Sequence, residues 1–331
     1  MKKFILRLIS FVSLLLILQF IVYIIDKPEN PEGVDLLKKY ISDQYTIVGL
    51  GDSSVSFAYE KEENQESTYT ILEKYLQQDK IGEIVHPAYH VGIYDYYFEN
   101  IARNSHSIRL VVIPINLRSF SPQWDMRPAY QFKKTKTLLR YDNLLTSMLF
   151  KPLAVFKYFD PKITEDVYEN TPVYMGEKRV GRVKDFKIEN YTIADNKFYR
   201  EKFIYHYMYN LTPTHRKLKS IRRILALSRK HNVQVIFYIT PIDVETGERL
   251  LGKQFREQVL KNATVIKNVI SSEKGVVVDL SESLSREYFY WYYDRRGAYS
   301  PHEHLLYSGR EIVAQQIASA IQKMQSAMTH Q

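Results

Sequence analysis

There is no cysteine among the 331 residues. That absence removes disulfides, thiolate zinc sites and cysteine nucleophiles from consideration, while saying nothing about which side of a membrane the chain occupies. The nine histidines include no His-Glu-x-x-His or similar ligand spacing, so no metal is expected. No phosphate-binding loop and no dinucleotide fingerprint is present, so no cofactor is expected either. No internal repeat or low-complexity tract appears. There is also no long basic run: 46 Lys and Arg against 37 Asp and Glu give a net charge of +9 that is spread along the chain. A diffuse charge of this kind argues against a nucleic-acid-binding arm and suits either an anionic surface or an ordinary basic exterior.

Enough apolar material is present for a sizeable core. Hydrophobic residues make up 45% of the chain and charged residues 25%, the balance of a globular protein rather than a disordered one. Tyrosine is abundant, at 27 residues. It combines a flat apolar face with a hydroxyl, which suits sugar binding and interfaces as well as ordinary packing.

Residues Phe4 to Ile25 form an apolar run whose single charge is Arg7, preceded by Lys2 and Lys3 and ended by Asp26, Lys27 and Pro28. Its length predicts a transmembrane helix at residues 1–27. The preceding basic residues predict a single-pass protein with a cytoplasmic N-terminus and an outer domain, periplasmic or extracellular. A cleaved signal peptide is the alternative. Residues 28–44 read as a linker and first helix, and 45–331 as one α/β domain.

Five short β-branched runs read as buried parallel strands: Thr46–Leu50, Glu83–His86, Arg109–Ile115, Val233–Ile239 and Gly275–Leu280. Helical patterns fall between and after them, at Ser67–Gln77, Gly92–Arg103, Pro213–Lys230, Gln254–Ile270 and Ser308–Met324. The alternation predicts a three-layer α/β/α domain around a five-stranded parallel sheet. Residues 121–210 lack a clean strand–helix repeat and read as an insertion with elements of its own.

In such sheets ligands sit at the carboxyl ends of the strands. The first strand ends in Gly51-Asp52-Ser53-Ser54, a turn that presents a hydroxyl and backbone N–H groups. Ser and Asp are equally at home as helix caps. Near the other end, Ser300-Pro301-His302-Glu303-His304-Leu305 precedes the last helix. A histidine there would supply the base that a serine nucleophile needs. Arg118, after the third strand, reads either as an anion-binding side chain or as packing for the insertion. The run Tyr288–Tyr293 reads as a sugar platform or an alternating half-buried strand.

Together these segments resemble the SGNH, or GDSL-like, hydrolase superfamily. The matching blocks are Gly51-Asp52-Ser53-Ser54, His86–Gly92, Ile113-Pro114-Ile115-Asn116, and His304-Leu305-Leu306 with Gly309. The resemblance spans about Tyr45 to Ala320 apart from the insertion, and implies a flavodoxin-like fold. It implies Ser53 as nucleophile and His304 as base, with the Ser53 and Gly92 N–H groups and the Asn116 amide as oxyanion hole. Where the superfamily has Asp, three residues before the His, this chain has Pro301. Glu303 and Asp294 are the candidates to replace it, and His302 is a second candidate base. Tyr89, His90, His302 and Arg118 are the expected substrate contacts. The function implied is a membrane-tethered serine esterase or O-acyltransferase acting on a cell-surface glycan or lipid-linked sugar, beside an integral membrane O-acyltransferase. A non-catalytic scaffold that binds a glycan or that partner is the second reading, and a lipid esterase the third.

Overall fold

The computed structural model describes residues 2–25, 32–77, 80–140, 165–170, 172–174, 180–182, 196–293 and 299–329. Its contacts divide the chain into two units: residues 1–35 with 132–162, and residues 36–131 with 163–331.

The first unit contains helix α1 (Lys2–Ile25). Here the expectation of a membrane-spanning helix is corrected: among the described residues, no helix is long and apolar enough to cross a membrane. The single-pass topology that rested on that helix falls with it. Three basic residues, Lys2, Lys3 and Arg7, lie inside the helix rather than before it, so its uncharged stretch is Leu8–Ile25, short of the about 20 residues of a typical span. Ser10 returns its hydroxyl to the Leu6 carbonyl, 3.0 Å away. The large apolar side chains of this helix, from Phe4 to Ile21, are exposed.

The second unit is built on a parallel sheet of β1 (Ile47–Gly51), β2 (Ile81–Val85), β3 (Leu110–Ile115), β6 (Gln234–Ile239) and β7 (Val276–Asp279). The spatial order is β2-β1-β3-β6-β7, the doubly wound order of flavodoxin-like folds. Every residue of β1 and β3 is buried, which is why these strands are apolar throughout rather than alternating. Helix α2 (Glu32–Ser42) precedes β1, and its Tyr40 donates its hydroxyl to the Glu83 carbonyl of β2 at 3.0 Å. One face is covered by α4 (Thr68–Leu76) and the last helix, α13 (Tyr307–Thr329), whose Val313, Ile317 and Ile321 meet Tyr69, Leu72, Val112 and Ile236 in a common core. The other face is covered by α5 (Val91–Asn104), α10 (Arg216–His231) and α12 (Gln254–Ser272). The three-layer part of the sequence expectation therefore holds.

The insertion has elements of its own. A 3-10 turn at Leu117–Phe120 leads into it from β3. Its helices include α6 (Pro122–Met126), α7 (Lys133–Arg140), α8 (Glu165–Glu169) and α9 (Asn196–Tyr207), and β4 (Pro172–Tyr174) pairs with β5 (Val180–Arg182) as a hairpin. The strand alternative for Tyr288–Tyr293 holds, but its partner was not foreseen: β8 (Phe289–Tyr293) and β9 (Tyr299–Leu305) form an antiparallel hairpin that delivers the histidine segment.

Candidate active site

The first strand ends at Gly51, where an added Cβ would lie 2.9 Å from Val85 and 3.0 Å from Val55. The chain then turns into the short helix α3 (Ser53–Ser56), with Asp52 as its cap. The Asp52 carboxylate is almost wholly buried, at 2% exposure. Its Oδ1 accepts the Ser54 N–H at 2.9 Å and the Ser54 hydroxyl at 2.5 Å, and its Oδ2 accepts the Asn116 amide at 3.2 Å. The carboxylate thus joins the ends of β1 and β3 and fixes the turn. These bonds go to Ser54 and leave Ser53, half-buried at the first position of the helix, outside the cap.

His304 reaches the same turn from 251 positions further along the chain. It is 7% exposed, and its ring stacks on Phe57 with centroids 4.2 Å apart and planes 15° apart. Phe57 closes α3, donating its N–H to the Ser53 carbonyl at 3.0 Å. Tyr290 and Tyr59 extend the aromatic group, with centroids 5.5 Å from Phe57 for the former and 4.6 Å between the two tyrosines. Serine and histidine therefore flank a single four-residue turn.

Arg310 holds these two segments in register. It is fully buried. One guanidinium nitrogen donates to the carbonyls of Phe57, at 3.2 Å, and Leu305, at 2.7 Å. The others reach the Glu66 and Asn64 carbonyls and the Glu62 carboxylate. Glu62 in turn accepts the Tyr307 N–H at 2.6 Å. The residue after α3 and the residue after His304 are thus pinned to one planar cation.

The remaining predicted residues have other partners. Glu303 faces away from the neighbouring imidazole, as alternation along a strand requires, and forms a buried ion pair with Arg118. Arg118 also lies 3.8 Å over the Trp124 ring, and burial lowers its pKa. Asn116 caps the 3-10 turn, its Oδ1 accepting the Arg118 N–H at 3.0 Å, while its amide serves Asp52. Gly92 donates its N–H to His90 Nδ1 at 3.0 Å. Since Nδ1 accepts, the proton sits on Nε2, which faces the Tyr130 carbonyl at 2.9 Å. His90 is thus the buried cap of α5. Tyr89, 2% exposed, shares a 3.0 Å hydroxyl contact with Tyr97 and stacks on His86. Tyr89 and His90 are core residues in this arrangement. Asp294 lies outside the described residues, as does the His302 side chain; the His302 backbone belongs to β9.

The structure thus brings Ser53, Asn116 and His304 to one edge of the sheet, and diverts Gly92, His90, Tyr89 and Glu303 to other bonds. The cap reading offered for this turn in the sequence falls on Asp52. Arg310 went unrecognised, because an Arg on an amphipathic helix gives no sign of its burial. Among the described residues, no group of three or more His, Cys, Asp or Glu could hold a metal ion.

The class defined by fold and site is a flavodoxin-like α/β/α protein with a serine and a histidine at the carboxyl edge of its sheet, an arrangement consistent with the SGNH or GDSL-like hydrolase fold. No family model and no curated protein matches the chain. Among solved structures it is similar to the acetylxylan esterase Axe2 from Geobacillus stearothermophilus, with 12% identity, a TM-score of 0.39, and coverage of 84% of this chain and 94% of that one. It is also similar to a Bacteroides fragilis protein provisionally assigned as an acylhydrolase, with 11% identity, a TM-score of 0.39, and coverage of 89% and 99%. Likenesses this distant carry no weight for function, which rests on the site itself.

Proposed function

We propose that this chain is a serine esterase or O-acyltransferase that acts on acyl esters of a glycan through Ser53. The observation that carries the reading is the stacking of His304 on Phe57, which sets the imidazole beside the turn that begins with Ser53. Ser53 Oγ attacks the ester carbonyl while His304 takes its proton. The tetrahedral oxyanion is met by the Ser53 N–H and the second N–H of the Asn116 amide, whose first is engaged by Asp52. The proton passes from His304 to the departing alkoxide. Water or a sugar hydroxyl then resolves the acyl-enzyme by the same route in reverse. Labelling of the full chain with a serine-directed fluorophosphonate tests this. Covalent modification is expected in the wild type and is expected to be lost in Ser53→Ala.

One set of observations favours a second reading, a scaffold that binds without catalysis. The Gly92 N–H is engaged by His90 rather than left open, and Pro301 stands where the superfamily has its acid. Absence of labelling that depends on Ser53 would select this reading.

A further inference from the structure

His304 is carried by a strand outside the central sheet. Among the described residues, β8 and β9 pair with each other in a sheet separate from the five parallel strands. Within that hairpin Leu305 stands opposite Phe289, and Pro301 opposite Trp291. Residues 302–304 therefore share Tyr290 alone across the ladder, the geometry of a bulge, where extra residues are left out of the regular pairing. Ladder hydrogen bonds thus do not register His304 against Asn116 at the end of β3. That task falls to side chains.

Arg310 supplies one anchor, at the Leu305 carbonyl. A second comes from the opposite side of β9. There the Arg118 guanidinium forms its ion pair with Glu303, the residue before His304, and the two side chains are only 12% and 10% exposed. The main chain of Arg118 is held in turn by Asn116, whose Oδ1 accepts its N–H. One residue therefore grips the proposed oxyanion donor with its backbone and the strand of the proposed base with its side chain.

The 3-10 turn that carries Arg118 is a firm support. The Tyr209 hydroxyl donates to the Leu117 carbonyl at 2.6 Å, and the buried Lys217 ammonium donates to the Ser119 carbonyl. The Trp124 ring lies against the guanidinium, a cation–π contact that restrains its plane. From the other end, Asp52 holds the Asn116 amide. A continuous path of polar contacts thus runs from the nucleophile turn through Asp52, Asn116, Arg118 and Glu303 to the backbone of His304.

We propose that Arg118 is a positioning residue: through Glu303, on the reverse side of β9, it holds the His304 imidazole at a fixed offset from the Asn116 amide, so that base and oxyanion donor meet the same carbonyl. The inference rests on the serine-esterase reading. It reassigns Arg118 from a substrate contact to the link between two catalytic groups.

The test compares hydrolysis of 4-nitrophenyl acetate and fluorophosphonate labelling by the full chain in wild type, Arg118→Lys, Glu303→Gln and the paired variant Arg118→Met with Glu303→Leu. Replacing both partners of a buried ion pair by apolar residues of similar volume is often neutral for stability. The paired variant is therefore expected to keep the wild-type urea midpoint. Its kcat and labelling rate are nonetheless expected to fall about tenfold or more with KM unchanged, since a misplacement of about 1 Å costs on the order of 100-fold. Glu303→Gln leaves Arg118 in place with a weaker grip and is expected to lose part of kcat. Arg118→Lys keeps the charge without the planar fork and is expected to retain more of kcat than the paired variant. A folded paired variant with wild-type kcat overturns the positioning role and leaves the esterase reading intact. Full activity in Glu303→Gln beside an impaired Arg118→Lys also overturns it, because Arg118 then acts on the substrate itself. Should the paired variant not fold, wild-type kcat in both single variants overturns the role in its place. A wild type that hydrolyses no ester and is not labelled at Ser53 overturns the esterase reading and the positioning role with it.

Discussion

At the residue scale the site depends on two buried charges that contact no substrate. Asp52 is held by three donors from two strand ends, and Arg310 spreads its guanidinium over four carbonyls and Glu62. Removing one side of such a network leaves the other buried and unpaired, at a cost of about 3–5 kcal/mol. Arg310→Leu is therefore expected to lower unfolding free energy by about that amount in a urea titration. Arg310→Lys keeps the charge but lacks the planar fork. It is expected to retain more stability than the leucine variant while still slowing fluorophosphonate labelling of Ser53, because Phe57 and Leu305 lose their common anchor. Equal labelling rates in Arg310→Lys and wild type would show that this residue serves stability alone. In the sequence, Ser53 was legible because a cap and its turn are local. The diversion of Gly92 to His90 was not, because an imidazole acting as a helix cap looks like any other histidine between two apolar residues.

Elements follow local signals where those signals are strong. Ser67 begins α4 as its cap, accepting the Thr70 N–H at 3.0 Å, as the boundary read from sequence anticipates. α10 begins at Arg216 rather than Pro213, because the His215 side chain caps it by accepting the Lys217 N–H at 3.2 Å. Inside helices, packing overrides propensity. Gly247 sits in α11 (Val244–Leu251), where alanine would ordinarily stabilise by about 1 kcal/mol. A Cβ there would fall within the ring of Phe255, a core residue that is fully buried. Overpacking of this kind costs about 1–3 kcal/mol. Gly247→Ala is thus expected to lower the melting temperature, and a rise would show that the helices move apart to admit the methyl group. The β8–β9 hairpin was not legible as paired strands. Its aromatic run has no two-residue turn, and its pairing shifts register between Phe289 and Trp291.

At the scale of the whole molecule, stability toward acid is set by buried groups rather than by the net charge of +9. His215 lies 3.5 Å from Asp125, yet burial first, and then Lys217 and Arg216, depress its pKa to about 4 against the attraction of that carboxylate. The fold therefore keeps His215 neutral. Above pH 6.5 folded and unfolded chains both hold it neutral, and it contributes nothing to pH dependence. Between pH 6.5 and 4 the unfolded chain takes up the proton first, so stability is lost as pH falls. At pH 5 the loss is about 2 kcal/mol at 1.36 kcal/mol per pK unit. Asparagine can cap α10 in its place. Urea midpoints at pH 7 and pH 5 are expected to differ less in His215→Asn than in the wild type; equal differences would mean that other groups govern the acid limb. Asp95 has the opposite sign, its pKa raised by burial to about 6 despite Arg223, and comparing the two proteins cancels its contribution.

The sequence by itself determined the three-layer architecture, since five apolar runs separated by amphipathic helices have few other ways to bury themselves. It also determined the two chain positions, Ser53 and His304, that such a sheet carries to its carboxyl edge. Apolar length alone misled at α1, where the basic residues inside the helix shorten its uncharged stretch. Only the tertiary structure decided which distant polar group each candidate meets. Glu303 is claimed by Arg118 from the turn after β3, and Asn116 by Asp52. The reason is physical: periodicity and caps act over a few residues of chain. Hydrogen bonds and ion pairs between positions far apart in the chain are settled only when the layers close and each buried charge must find a partner.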